Sequence, residues 1–220
     1  MLARRVHALW ESVSGLDVLG LGFTAPFAGE WLPTARRVAL AAPAAQGALM
    51  WPSGAAGQSV LCDERRLPFM DAVFDRALLA HALEESEDPH ALLREMWRVM
   101  TPEGRIIVIA PNRLSLWAVS DATPFGHGRP FSRRQLAALL RDSLFEPTAS
   151  ARAVYAPPLR SAPLLKIATG LEAAGERLWP ALGGLILMEA VKRLGSRPAA
   201  LQSRVVRAAA RASAPREMRD

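Results

Sequence analysis

Residues 62–113 read CDERRLPFMDAVFDRALLAHALEESEDPHALLREMWRVMTPEGRIIVIAPNR, and the order of elements in this stretch decides the fold. Phe74 to Ala80 (FDRALLA) is a short apolar run that reads as a buried strand, although periodicity alone leaves a helix open. Asp88 followed by Pro89 is a helix start: a side chain that caps free N–H groups, then a residue that needs none. In the HALLREMWRVM that follows, Leu92, Leu93, Met96, Val99 and Met100 recur at three-four spacing and predict one buried helix face. Thr101-Pro102-Glu103-Gly104 predicts the stop, and Arg105 to Ala110 (RIIVIA) the next strand. A strand, a helix and a further apolar strand in succession are the signature of a parallel sheet covered by helices.

The same alternation extends in both directions. Upstream, Asp17–Leu21 (DVLGL), Arg37–Ala41 (RVALA) and Gln58–Leu61 are short strand candidates, with a short helix expected over Pro26–Leu32. Downstream, Pro111 to Phe131 reads as a long loop with one short helical turn around Leu114–Val119; loops of about 20 residues inside compact domains are usually functional or mobile. Ser132 and Gln135 have the spacing of a capping box for the helix FSRRQLAALLRDSLF. Thr148–Tyr155 is a sixth strand, Pro163–Leu178 a helix, and Gly184–Lys192 (GLILMEAVK) the last strand. Residues 1–195 are expected to form one domain and residues 196–220 a basic Ala/Arg-rich tail, frayed or disordered.

The 220 residues are half hydrophobic and 22% charged, enough for one domain with a sizeable core. The net charge of +6 resembles a nucleic-acid signal until it is located. Residues 1–191 are balanced, and the excess lies in residues 192–220, where Lys192, Arg193, Arg197, Arg204, Arg207, Arg211, Arg216 and Arg219 face only Glu217 and Asp220. A nucleic-acid-reading face is therefore not supported, while a tail that touches an anionic or protein partner is. The single cysteine, Cys62, rules out an internal disulfide and favours a reducing compartment. No stretch is long and apolar enough for a signal peptide or an integral membrane segment, so a cytoplasmic location is expected. The four histidines are scattered and predict no metal site.

Several features of the quoted stretch come in a familiar order: Asp63 closing the third strand, Leu67-Pro68-Phe69, then Asp71, Phe74 and Asp75. Leu83-Glu84, Asp88-Pro89, Pro102-x-Gly104 and Pro111-Asn112 follow. The run resembles the class I S-adenosylmethionine-dependent methyltransferases of the "type 11" group. A VLGLG start and an ATPFGHGRP loop are similar to a subgroup of bacterial methyltransferase-like proteins. The resemblance implies an α/β fold, a doubly wound, Rossmann-like, mostly parallel sheet of seven strands with an antiparallel last strand. With 16 residues ahead of Asp17, the helices that usually cover the cofactor are expected to be mostly missing.

The resemblance also implies where S-adenosylmethionine would sit: across the carboxyl ends of the central strands. The family's first loop is D-x-G-x-G-x-G, and here it reads Gly20-Leu21-Gly22-Phe23-Thr24-Ala25-Pro26. Gly20 stands where the acid is expected, and Gly22 alone keeps a glycine of the run. The carboxylate that would hold the ribose after the second strand is replaced by Ala41, Ala42 and Pro43, with Gln46 the nearest polar side chain. Asp63, with Glu64 beside it, aligns with the position that binds the adenine amino group; a turn-forming aspartate is the plainer alternative. His81, after the fourth strand, and His127, in the long loop, are the candidates for a base or substrate contact, against a structural role for each. The loop Thr123–Pro130 suits either a cover over an acceptor or a packed surface turn. Cys62 reads as a small core residue rather than a nucleophile.

Because a sulfonium is an activated methyl donor, a transferase of this kind needs alignment more than acid–base machinery. The function expected is methylation of a small molecule; the alternative is an inactive methyltransferase-like domain that serves as a binding or scaffold protein. Gly20-x-Gly22-x-x-Ala25 also fits the loose dinucleotide fingerprint, but the acidic residue about 20 positions on is missing.

Overall fold

A computed structural model of the protein describes residues 2–47, 50–54, 56–115, 128–155, 175, 177–179 and 182–194. In chain order the elements are α1 (Leu2–Leu9), β1 (Asp17–Gly22), α2 (Ala25–Ala28), β2 (Arg37–Pro43), β3 (Ser59–Cys62) and β4 (Phe74–Ala80). They continue with α3 (Pro89–Val99), β5 (Met100–Pro111), α4 (Arg133–Asp142), β6 (Phe145–Ala153) and β7 (Leu185–Lys192). The strands form one sheet in the order β3-β2-β1-β4-β5-β7-β6. The first five are parallel, and β7 runs antiparallel to both β5 and β6.

The apolar runs that read as strands do so because both sheet faces are covered. Leu19, Leu21, Ile106 and Val108 point into one layer with Leu92, Leu93 and Met96 of α3 and Leu136 and Leu140 of α4. Their neighbours Val18, Ile107 and Ile109 point into the other, with Val6 and Trp10 near α1 and Phe27 and Trp31 near α2. The N-terminal segment, for which no helix was predicted, supplies α1 to that second layer, and Trp10 and Trp31 meet there at 5.9 Å.

Local chemistry sets the element ends. Asp88 accepts from the Ala91 N–H, and the Ser132–Gln135 capping box is complete. The helix predicted to run through Phe145 stops at Asp142, because Leu144 turns left-handed (φ 64°) and releases Phe145 into β6. Pro147, which cannot donate to a ladder, lies on the edge strand β6 at a register shift. The turn predicted at Thr101–Gly104 is present as an irregularity inside β5, with Glu103 at φ 59°. The predicted helix over Pro163–Leu178 lies largely outside the described residues, as do the turn around Leu114–Val119 beyond Ser115 and the basic tail.

The topology fixes where a ligand can approach. From β1 the chain winds outward through β2 and β3, then returns to the other side of β1 as β4. The topological switch point therefore lies between β1 and β4, at their carboxyl ends, where Gly22 pairs with Ala80.

Candidate active site

Gly22 ends β1 in a conformation open only to glycine (φ 82°), and an added methyl group there would collide with the Ala80 carbonyl oxygen. The next residue donates its N–H to that same oxygen (Phe23 N to Ala80 O, 2.8 Å), clamping the loop to β4. Thr24 then caps the short α2 with φ −104°, so the threonine that stands in the glycine run carries no left-handed strain. Its side chain instead fills the niche above Gly20: a methyl group added to Gly20 would strike Thr24 Oγ1 and lie 2.8 Å from Thr24 Cβ and 2.7 Å from Leu40 Cδ2. Glycine at position 20 and threonine at 24 are thus one packing solution. Neither Phe23, 60% exposed, nor Pro26, also exposed, is buried in the crevice.

At the end of β2, Gln46 reaches across the switch point. Its Nε2 donates to the His81 carbonyl, and its Oε1 lies 3.2 Å from where a Gly22 methyl would be. At the end of β3, Asp63 Oδ1 accepts from the Arg65 N–H (2.9 Å) and from Arg65 Nε (3.3 Å), which holds its carboxyl below the usual range. Asp63 is half exposed and forms a turn with Arg65 in this geometry. Glu64 turns the other way and accepts from Ser86 Oγ, tying the end of β3 to the loop after β4. Burial pushes the Cys62 thiol up to about 11, which leaves it uncharged at neutral pH and suits a core residue.

After β4, His81 adopts a left-handed backbone (φ 54°) and its N–H donates to Ile109 O (3.2 Å). Its ring Nδ1 lies 2.6 Å from Glu84 Oε1. Glu84 is 3% exposed, and its second oxygen is buried without a hydrogen-bond partner among the described residues. The end of the long loop meets its backbone: Arg129 N–H donates to Glu84 O (2.9 Å), and Gly128 (φ 77°) leaves no room for a side chain against that carbonyl. His127 and Thr123–Gly126 lie outside the described residues. Of the predicted site residues, Gly20, Gly22 and His81 therefore gather at the switch point, while Asp63 and Glu64 stand at the neighbouring β3 end. Thr24 and Glu84 were not given roles from sequence. The i,i+3 spacing of His81 and Glu84 was the one available signal.

Residues 32–108 match the family model described as "Methyltransferase domain". That match covers about a third of the chain, and the strand order extends the likeness to the whole sheet. The chain has the class I methyltransferase fold. It is similar to the uncharacterized protein YafS of Escherichia coli K12, 38% identical over 65 residues, which cover 30% of this chain and 27% of that protein. Likewise it is 44% identical over 61 residues to the demethylmenaquinone methyltransferase of Mycolicibacterium paratuberculosis, covering 27% and 26%. These matches span only about a quarter of the length of the curated relatives. Among solved structures it is similar to the putative methyltransferase complexed with the Trm112 activator from Haloferax volcanii, with a TM-score of 0.63, 18% identity, and 87% and 89% of the two chains covered. This methyltransferase-fold chain departs from the family loop at Gly20, Thr24 and the β2 end. Among the described residues, no His/Cys/Asp/Glu group could hold a metal, and no helix is long and apolar enough to cross a membrane.

Proposed function

We propose that the chain is an S-adenosylmethionine-dependent methyltransferase that acts on a small molecule in the cytoplasm, with residues 1–195 as the domain and 196–220 as its tail. The observation that supports this most is the switch point: Gly22 ends β1 there in the left-handed conformation, and neither Phe23 nor Pro26 is buried in it. The residues present suit an adenosyl ligand with altered anchors. The left-handed Gly22 carries the first loop toward its amino-acid end, while Gly20 makes room for Thr24 rather than for the ligand. Gln46 takes the place of the ribose carboxylate, and Asp63, with Glu64, lies at the β3 end where the family holds adenine. When bound, the cofactor supplies a methyl group on a positively charged sulfur that leaves with the bonding pair. The chain's part is to orient both partners and exclude water. Replacing a charged ribose acceptor by an amide forfeits about 1.5–3 kcal/mol, so binding is expected to be tenfold or more weaker than with a carboxylate.

Calorimetric titration of the full chain with S-adenosylmethionine and S-adenosylhomocysteine tests the reading. Saturable binding that weakens in Asp63→Ala supports it; well-folded protein that binds neither overturns it. One observation favours a second reading: Thr24 occupies the Gly20 niche, as in a domain kept for its shape. In that reading the fold is an inactive scaffold, and the long loop or the basic tail engages a protein partner. The same titration separates the two.

A further inference from the structure

Glu84 is the one described carboxylate that is buried with an oxygen left unpaired. Leaving a charged acceptor unsatisfied in the interior is costly, so such a group calls for an explanation. Its other oxygen meets His81 Nδ1 at 2.6 Å. With the carboxylate ionised and the ring neutral, the proton of that bond sits on Nδ1 and the ring's lone pair is on Nε2. The backbone fixes the pair from three sides. Gln46 binds the His81 carbonyl, Ile109 receives the His81 N–H, and the Arg129 N–H holds the Glu84 carbonyl beside Gly128. The ring is still about a third exposed, so Nε2 is not sealed from a ligand.

Building on the methyltransferase reading, we propose that Glu84 holds His81 as the proton acceptor for the methyl acceptor, and that the acceptor's attacking atom carries an acidic proton, as in a phenol. The X–H bond of the acceptor breaks and its proton passes to His81 Nε2. The electron pair left on X forms the new bond to the methyl carbon, and the former carbon–sulfur pair stays on sulfur. The imidazolium that results is paired with the Glu84 carboxylate; the dyad passes from one negative charge to none as the sulfonium loses its positive charge, so the total is unchanged. Glu84 is a positioning residue: it reaches the substrate only through the ring.

Two measurements on the full chain test this without knowing the acceptor. Long-range ¹⁵N–¹H spectra of the unaltered protein should show neutral His81 protonated on Nδ1. Diethyl pyrocarbonate, which acylates the free imidazole nitrogen, should modify His81 readily, and the rate should fall several-fold in Glu84→Gln while His7 and His90 react as before. Protonation on Nε2 instead, or an unchanged His81 rate in a variant whose other histidines behave normally, overturns the proposal. Should Glu84→Gln fail to fold, the spectra of the unaltered protein decide alone. Binding of S-adenosylhomocysteine is scored separately: its absence beside an intact dyad result sinks the methyltransferase reading, and its presence beside a negative dyad result sinks only this one.

Discussion

Glycine 20 illustrates how one position constrains another four residues on. An acid at the end of β1 and a glycine in the following turn are alternatives to what this chain has, glycine followed by a buried threonine. Restoring only the acid is therefore expected to fail. Gly20→Asp drives its Cβ into Thr24 and should destabilise the fold by about 1–3 kcal/mol, the range for overpacking. Adding Thr24→Gly should recover part of that loss and tighten S-adenosylhomocysteine binding relative to the unaltered chain. Denaturant titration and calorimetry of the two single variants and the double check this. Simple additivity of the stability changes would show that the two residues do not share the niche.

At the scale of elements, α3 is tied by side chains to the segment before β4, and those ties explain why the quoted stretch is readable. Arg98 donates to Phe69 O (2.8 Å), Leu67 O (3.0 Å) and Asp71 Oδ1 (2.7 Å), while Glu95 accepts from the Leu67 N–H (2.9 Å) and from Arg98. The LPF-x-D segment is thus a strap laced to α3 by two side chains one turn apart. At the far end, Lys192 of β7 is 4% exposed and donates to Trp97 O and Met100 O, both at 2.7 Å, with its ammonium 3.9 Å from the Trp97 ring centre. It satisfies carbonyls that a helix end leaves open. Lys192→Met fills similar volume but donates nothing, so a loss of about 1–3 kcal/mol is expected in urea unfolding. A neutral result would mean that water replaces the ammonium freely.

For the molecule as a whole, acid stability follows from carboxylates fixed by arginines. Arg36 hydrogen-bonds Asp17 and Arg98 hydrogen-bonds Glu95, and each contact holds its carboxyl below the usual value despite partial burial. Such groups bind fewer protons folded than unfolded. Their contribution is complete above the unfolded carboxylate range, about pH 4, and is lost as pH falls through the lower folded values. Unfolding midpoints in urea should therefore fall between pH 6 and pH 3, and the fall should be shallower in the double variant Asp17→Asn, Glu95→Gln. Equal slopes in the two proteins would place the acid sensitivity elsewhere. Because Arg36 is well exposed, most of the effect should come from Glu95.

Sequence alone determined the strands, the capped helices α3 and α4, and the parallel class of the sheet. Those follow from local causes: apolar runs, Asp88 and Ser132 as caps, and the ordered motifs between Asp63 and Asn112. It also located Gly22 and His81 at strand ends, since a strand's end is visible in its own residues. Only the tertiary structure decided what meets at the switch point. That Thr24 fills the space over Gly20, that Gln46 bridges to His81, and that the far end of the long loop binds the Glu84 carbonyl are contacts between segments distant in the chain or folded back in a turn. Periodicity carries no information about such contacts, because it records which way a side chain faces and not which neighbour the fold brings to it.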